Sequence, residues 1–177
     1  MLLTLAGSAR PDQPAGLLGG ECVRQPELQF CIRPNSPSQM AAFFEARGFP
    51  EPAIRELSRD CFITVGIENL SNTIVWLEPS RWEFRTSDKT LERITPQGWA
   101  QRWQKLDLPQ GNRATFSWTL LPESRDLRPS EPVGGNIVLP RIDGPFSLEA
   151  IFATGENRDG EPIRVRYKAV RCARDDG

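Results

Sequence analysis

Residues 61–69 read CFITVGIEN, with Cys61, Ile63, Val65 and Ile67 on alternate positions. That is the period of a strand with one buried face. Leu70, Ser71 and Asn72 follow with turn composition. Residues 73–77 (TIVWL) then return as a second strand, because β-branched and aromatic side chains favour the pleated surface.

The same alternation recurs outward from this centre. Residues 28–32 and 82–85 read as short strands, as do 136–139, which Pro140 closes. Residues 114–120 (ATFSWTL) put Ala114, Phe116, Trp118 and Leu120 inward and Thr115, Ser117 and Thr119 outward. Phe146, Leu148, Ala150 and Phe152 share one side of another strand. Ile163, Val165, Tyr167 and Ala169 do so in the last, with Arg164, Arg166 and Lys168 facing out, where cross-strand pairing with Glu149 is expected. These last two strands predict a hairpin, its loop (154–162) carrying Asp159-Gly160. Seven or eight short strands without a βαβ rhythm predict a mainly β fold, an antiparallel β-sandwich.

Two stretches break the pattern. Residues 36–60 read as a helical hairpin: Ser36 suits an N-cap, Pro37 the first turn, and Met40, Phe43, Phe44 and Arg47 recur at helical spacing. Gly48 stops that helix, and Pro50 and Pro52 open a second carrying Ala53, Ile54 and Leu57. In residues 87–112, Trp99, Trp103 and Leu106 share one helical face. The expected organisation is therefore an N-terminal segment, 1–20, and one sandwich domain, 21–177, with the helical insertion at 36–60.

The 177 residues hold 22 basic and 23 acidic side chains, a near balance that gives no electrostatic footprint for nucleic acid. There is no histidine, which removes His-based triads, Cys-His pairs and His metal sites. No S-x-x-K occurs, and Ser87-Asp88-Lys89 reads as a solvated turn. Glu45, Glu51, Glu56, Glu123 and Asp126 are the acidic candidates, but nothing in their spacing sets a pair across a cleft. Residues 156–160 (ENRDG) carry Arg158 where a calcium loop wants an oxygen, so a hairpin turn is the reading. No cofactor is expected and no enzymatic activity.

Cys22, Cys31, Cys61 and Cys172 contain no C-x-x-C and predict two disulfides in an oxidising compartment. Of the three possible pairings, Cys31–Cys61 with Cys22–Cys172 is favoured because Cys31 and Cys61 bracket the helical insertion; Cys22–Cys31 with Cys61–Cys172 is the alternative.

Two resemblances bear on the reading. Cys61 and Trp76 resemble the strand-B cysteine and core tryptophan of immunoglobulin domains, which implies an immunoglobulin-like sandwich with Cys172 as the distant partner. Tyr167 stands five residues before Cys172, where that family sets its tyrosine two before. Residues 1–9 (MLLTLAGSA) resemble the end of an export signal, and Leu5-Ala6-Gly7 the lipobox of bacterial lipoproteins, with Ser8 where the lipidated cysteine stands. A periplasmic or secreted location follows as an expectation, with membrane attachment only through a lipid anchor that this chain does not encode. Residues 10–20 (RPDQPAGLLGG) read as a flexible arm.

The expected function is a non-catalytic exported binding or assembly module of the bacterial cell envelope. Its protein partner would engage Trp99, Arg102 and Trp103, or Phe43 and Phe44 of the insertion, since Trp and Arg dominate interface hot spots. The alternative is an inhibitor of a periplasmic or secreted hydrolase, presenting residues 121–133 (LPESRDLRPSEPV).

Overall fold

The computed structural model describes residues 20–175. The export-signal and lipobox expectations, and the arm up to residue 19, lie outside the described residues. In chain order the elements are β1 (Glu21–Arg24), β2 (Leu28–Asn35), α1 (Pro37–Glu45), α2 (Glu51–Leu57), β3 (Asp60–Asn69), β4 (Val75–Leu77) and β5 (Glu83–Arg85). There follow α3 (Pro96–Lys105), α4 (Gln110–Ser117), β6 (Arg125–Leu127), β7 (Pro132–Pro140), β8 (Phe146–Thr154) and β9 (Gly160–Val170). The architecture is mainly β, with two antiparallel sheets.

The first sheet runs β1-β2-β3-β7. In the second, β9 pairs with one edge of β8, while β4 and β5 share its other edge, pairing at Thr154 and Ala153 and at residues 147–149. β6 lies beyond β4. The turn after β3 therefore carries the chain from one sheet to the other, so residues 61–69 and 73–77 face each other across the core rather than pairing.

Period two fills that core. Cys61, Ile63, Val65 and Ile67 of β3 are fully buried, together with Phe30 and Ile32 of β2 and Leu148, Ala150 and Phe152 of β8. Tyr167 donates from its hydroxyl to the Phe30 carbonyl at 2.7 Å, tying β9 to the opposite sheet, and burial pushes its phenol well above the usual range. Trp76 does not join this core. Alternation turns Val75 and Leu77 inward and Trp76 out, half-buried, with its Nε1 on the Gly155 carbonyl at 2.8 Å. The inter-sheet tryptophan is Trp82, edge-on to Phe30 and Phe152 at 5.4 and 5.6 Å.

The disulfides are Cys22–Cys31 and Cys61–Cys172. This corrects the favoured Cys31–Cys61 pairing. Cys31 and Cys61 lie on opposite faces of the first sheet: Cys61 points into the inter-sheet core, and Cys31 stands on the other side, directly across from Cys22 in the β1–β2 register. Cys61–Cys172 joins the first sheet to the segment after β9, closing a loop of 111 residues; in the chain-entropy account that is about 5 kcal/mol, against about 3 kcal/mol for the 9-residue separation of Cys22 and Cys31.

The helices pack on the outer face of the first sheet, so β3 is buried on both faces, Phe62 included. Ser36 caps α1 in a capping box with Gln39, and Pro37 fills the first turn, as expected. Gly48 adopts φ 74°, a region glycine enters without penalty, where the chain turns toward α2.

Residues 114–120 are a further correction: the strand expected there is α4 and its exit. Phe116 is buried among Phe44, Trp99 and Trp103, at ring-centroid distances of 5.6, 4.7 and 5.0 Å. Ala114 and Trp118, assigned inward with Phe116, are exposed. Phe116 and the partly buried Leu120, four positions apart, fit a helical spacing as well as they fit period two, and packing against α1 and α3 decided it.

Candidate functional site

Phe43 and Trp118 are large apolar side chains left open to solvent, 39% and 89% exposed. They lie together, lining an open depression of about 450 Å³ with Arg47, Ala114, Thr115 and Thr119. The helices that carry them are anchored from beneath. On α1, Phe44 points into the core while its neighbour Phe43 points out, the two rings edge-on at 5.0 Å. On α4, Phe116 is the buried counterpart of Trp118. Past Trp118 the chain is pinned to the free edge of β7: Asn136 N–H donates to the Thr119 carbonyl at 2.8 Å, and Leu121 N–H to the Asn136 carbonyl at 3.0 Å. Gly135 permits this crossing, since a Cβ there would meet the Leu121 backbone at 2.6 Å.

Arg47 completes the face. Its guanidinium lies 3.4 Å from the Phe43 ring centroid, and its Nη1 donates to the Phe43 carbonyl at 2.6 Å. Stacking over an aromatic face leaves the edge donors of the guanidinium directed to solvent. The arrangement is a fixed aromatic-cationic surface that can bury apolar area and donate hydrogen bonds to a partner.

The expected interaction residues divide. Phe43 is at the surface. Trp99 and Trp103 are not: they stack at 4.8 Å, are 1% and 2% exposed, and fill the core beneath the helices. Phe44, fully buried, joins them there. Buried stacking of these three side chains removes them from any partner surface. Arg102 is half-exposed and faces inward chemistry, lying 4.8 Å over Trp99 and pairing with Asp60 and with Glu56 at 3.4 Å. Burial pushes the Asp60 carboxyl up, opposed by the Arg102 hydrogen bond and charge. Trp118 was missed because the strand reading turned it inward. A signal was present: Pro109, like Pro50, is an N-terminal helix residue, and Pro109-Gln110-Gly111 opens α4.

Several of the remaining candidates are engaged in structure. Glu51 pairs with Arg55, Glu56 with Arg59 and Arg102, and Glu123 with Arg93 in a bidentate fork at 3.0 and 2.7 Å. Glu149 takes both Arg164 and Arg166, as expected, and their hydrogen bonds and charge hold its carboxyl below the usual range. Residues 86–89 form an exposed turn in which the Thr86 hydroxyl bonds Asp88 at 2.7 Å. Asn69 is fully buried, its amide donating to the Thr73 and Leu127 carbonyls at 2.7 and 2.8 Å, so it braces the turn after β3. Residues 121–133 are anchored by β6 and by buried Leu121, Leu127 and Val133. Among the described residues no three acidic or thiol side chains converge to hold a metal, and no helix is long and apolar enough to cross a membrane.

No protein family and no curated protein matches the chain. Among solved structures it is similar to a candidate lipoprotein of Bacillus subtilis, with a TM-score of 0.45 and 9% identity over 85% of this chain. The similarity covers 39% of that protein, so this chain spans well under half its length. The two disulfides by themselves mark a protein that folds in an oxidising, extracytoplasmic environment.

Proposed function

We propose that the protein is a non-catalytic, exported binding or assembly module of the bacterial cell envelope that engages a protein partner through the Phe43–Arg47–Trp118 face. The observation that carries the reading is Trp118, 89% exposed beside an aromatic ring and a stacked guanidinium. An exposed tryptophan costs hydration free energy unless something covers it, and Trp, Tyr and Arg are the side chains that anchor protein interfaces. Rigid mounting on α1 and α4 lowers the ordering cost of association. Periplasmic residence is the compartment in which two disulfides and an envelope partner are both at hand.

The test is quantitative capture from native bacterial envelope, with the bound protein identified and its affinity for each variant measured. Trp118→Ala is expected to weaken binding of that protein about 30-fold or more, as a hot-spot tryptophan does, with unchanged thermal stability. A partner held equally by wild type and Trp118→Ala would falsify the assignment of this face.

A further inference from the structure

A second cavity, about 370 Å³, opens on the other side of Phe43, over the part of the first sheet that the helices leave uncovered. Its floor is a polar row crossing three strands, where β2, β3 and β7 bring Arg33, Thr64 and Asn136 into register. Within it Asn35, Thr64 and Asn136 form a relay. Asn35 Nδ2 donates to Thr64 Oγ1 at 2.7 Å, and Thr64 Oγ1 donates to Asn136 Oδ1 at 2.8 Å. The direction is set by chemistry: an amide nitrogen only donates, so the threonine proton is free to continue the chain. Two groups are left over, the Oδ1 acceptor of Asn35 and the Nδ2 donor of Asn136, and neither has a protein partner among the described residues. Asn35 is 6% exposed and lines the cavity, so burial fixes its side chain while its acceptor faces the opening. Met40 and Phe43 of α1 supply an apolar wall.

From this geometry we infer that the cavity binds a polyhydroxylated ligand, a short oligosaccharide. A hydroxyl both donates and accepts, which suits a floor that offers the Asn35 acceptor and the Asn136 donor at the two ends of the relay. The C–H face of a sugar ring suits the Met40–Phe43 wall. No carboxylate lines the cavity to favour a cation. A peptide bound through its backbone would need a strand edge, whereas here the floor is a sheet face whose backbone is already paired with its neighbours. The site is separate from the Trp118 face assigned to a protein partner, and shares only Phe43 with it.

The experiment titrates the full chain with maltotriose, cellotriose and chitotriose, reading side-chain amide shifts by NMR. At least one is expected to bind saturably, with a Kd on the order of 1 mM or tighter, and to shift the Asn35 and Asn136 amides. Thr64→Val, which keeps shape and removes the relay hydroxyl, is expected to weaken that binding about tenfold, and Asn136→Ala similarly, while Trp118→Ala leaves it within about twofold. Absence of any shift at those two amides up to about 10 mM of each sugar, or equal binding by Thr64→Val, overturns the inference. The protein-partner reading survives that failure, because it is read by Trp118→Ala alone.

Discussion

The inter-sheet core and the core beneath the helices are built from different materials. The first is largely aliphatic, drawn from alternating positions of β2, β3, β7, β8 and β9, and spanned by Cys61–Cys172. The second is a cluster of aromatic rings, Phe44, Phe62, Trp99, Trp103 and Phe116, gathered from three helices and one face of the sheet. The contrast teaches that the sheets hold the fold while the helices hold its outward chemistry. Trp118 and Phe43 each stand next to, or two positions from, a ring of the second core, so the same aromatic-rich segments supply both the anchor and the exposed face.

Replacing Cys61 and Cys172 together by alanine is expected to cost about 5 kcal/mol, measured by denaturant unfolding against the oxidised parent; a loss as small as that for Cys22 and Cys31 would mean that the inter-sheet core does not depend on its strap. Phe116→Ala should cost about 4 kcal/mol by the same measurement, whereas Trp118→Ala, two positions away, should change stability by less than about 0.5 kcal/mol. Equal costs would show that the buried-versus-exposed division in α4 is misplaced.

Arg102→Ala sharpens the helix side further. Burial raises the Asp60 carboxyl, so folded Asp60 holds its proton to higher pH than the unfolded chain does. Its contribution to stability is complete in acid, below the unfolded carboxylate range near about 4, and is lost as pH rises through the elevated folded value. Removing the Arg102 charge and hydrogen bond enlarges that loss. Arg102→Ala is expected to cost about 2–3 kcal/mol at neutral pH, and the gap to the parent should narrow on acidification. Thermal midpoints between about pH 4 and 7 check this, and a gap independent of pH sinks it. The smallest effect belongs to the surface: Arg166→Ala, which removes one of two partners of the partly buried Glu149, should leave the thermal midpoint nearly unchanged, and the difference should vanish in high salt.

Legibility in the sequence followed the local periodicities. The strands at 61–69, 146–152 and 163–169 and the β8–β9 hairpin stand where alternation set them, because a strand's two faces are fixed by neighbouring residues alone. Ser36, Pro37 and Gly48 marked the helical insertion through capping chemistry that acts over three or four residues. β1 and β6, three or four residues long, carry no alternation that could be read, and they exist because an edge of the sheet is there to receive them. The disulfide pairing depended on which face of β2 carries Cys31, a matter of register. Of the candidate site, Phe43 was legible and Trp118 was not.

The amino-acid order alone determined that sulfur would cross-link a mainly β chain with a helical hairpin between two of its strands, since spacing and capping are short-range properties. Only the tertiary structure decided which aromatic side chains are buried and which face solvent. A tryptophan carries the same hydrophobic content in either place, and its burial depends on whether a sheet face or another helix arrives to cover it.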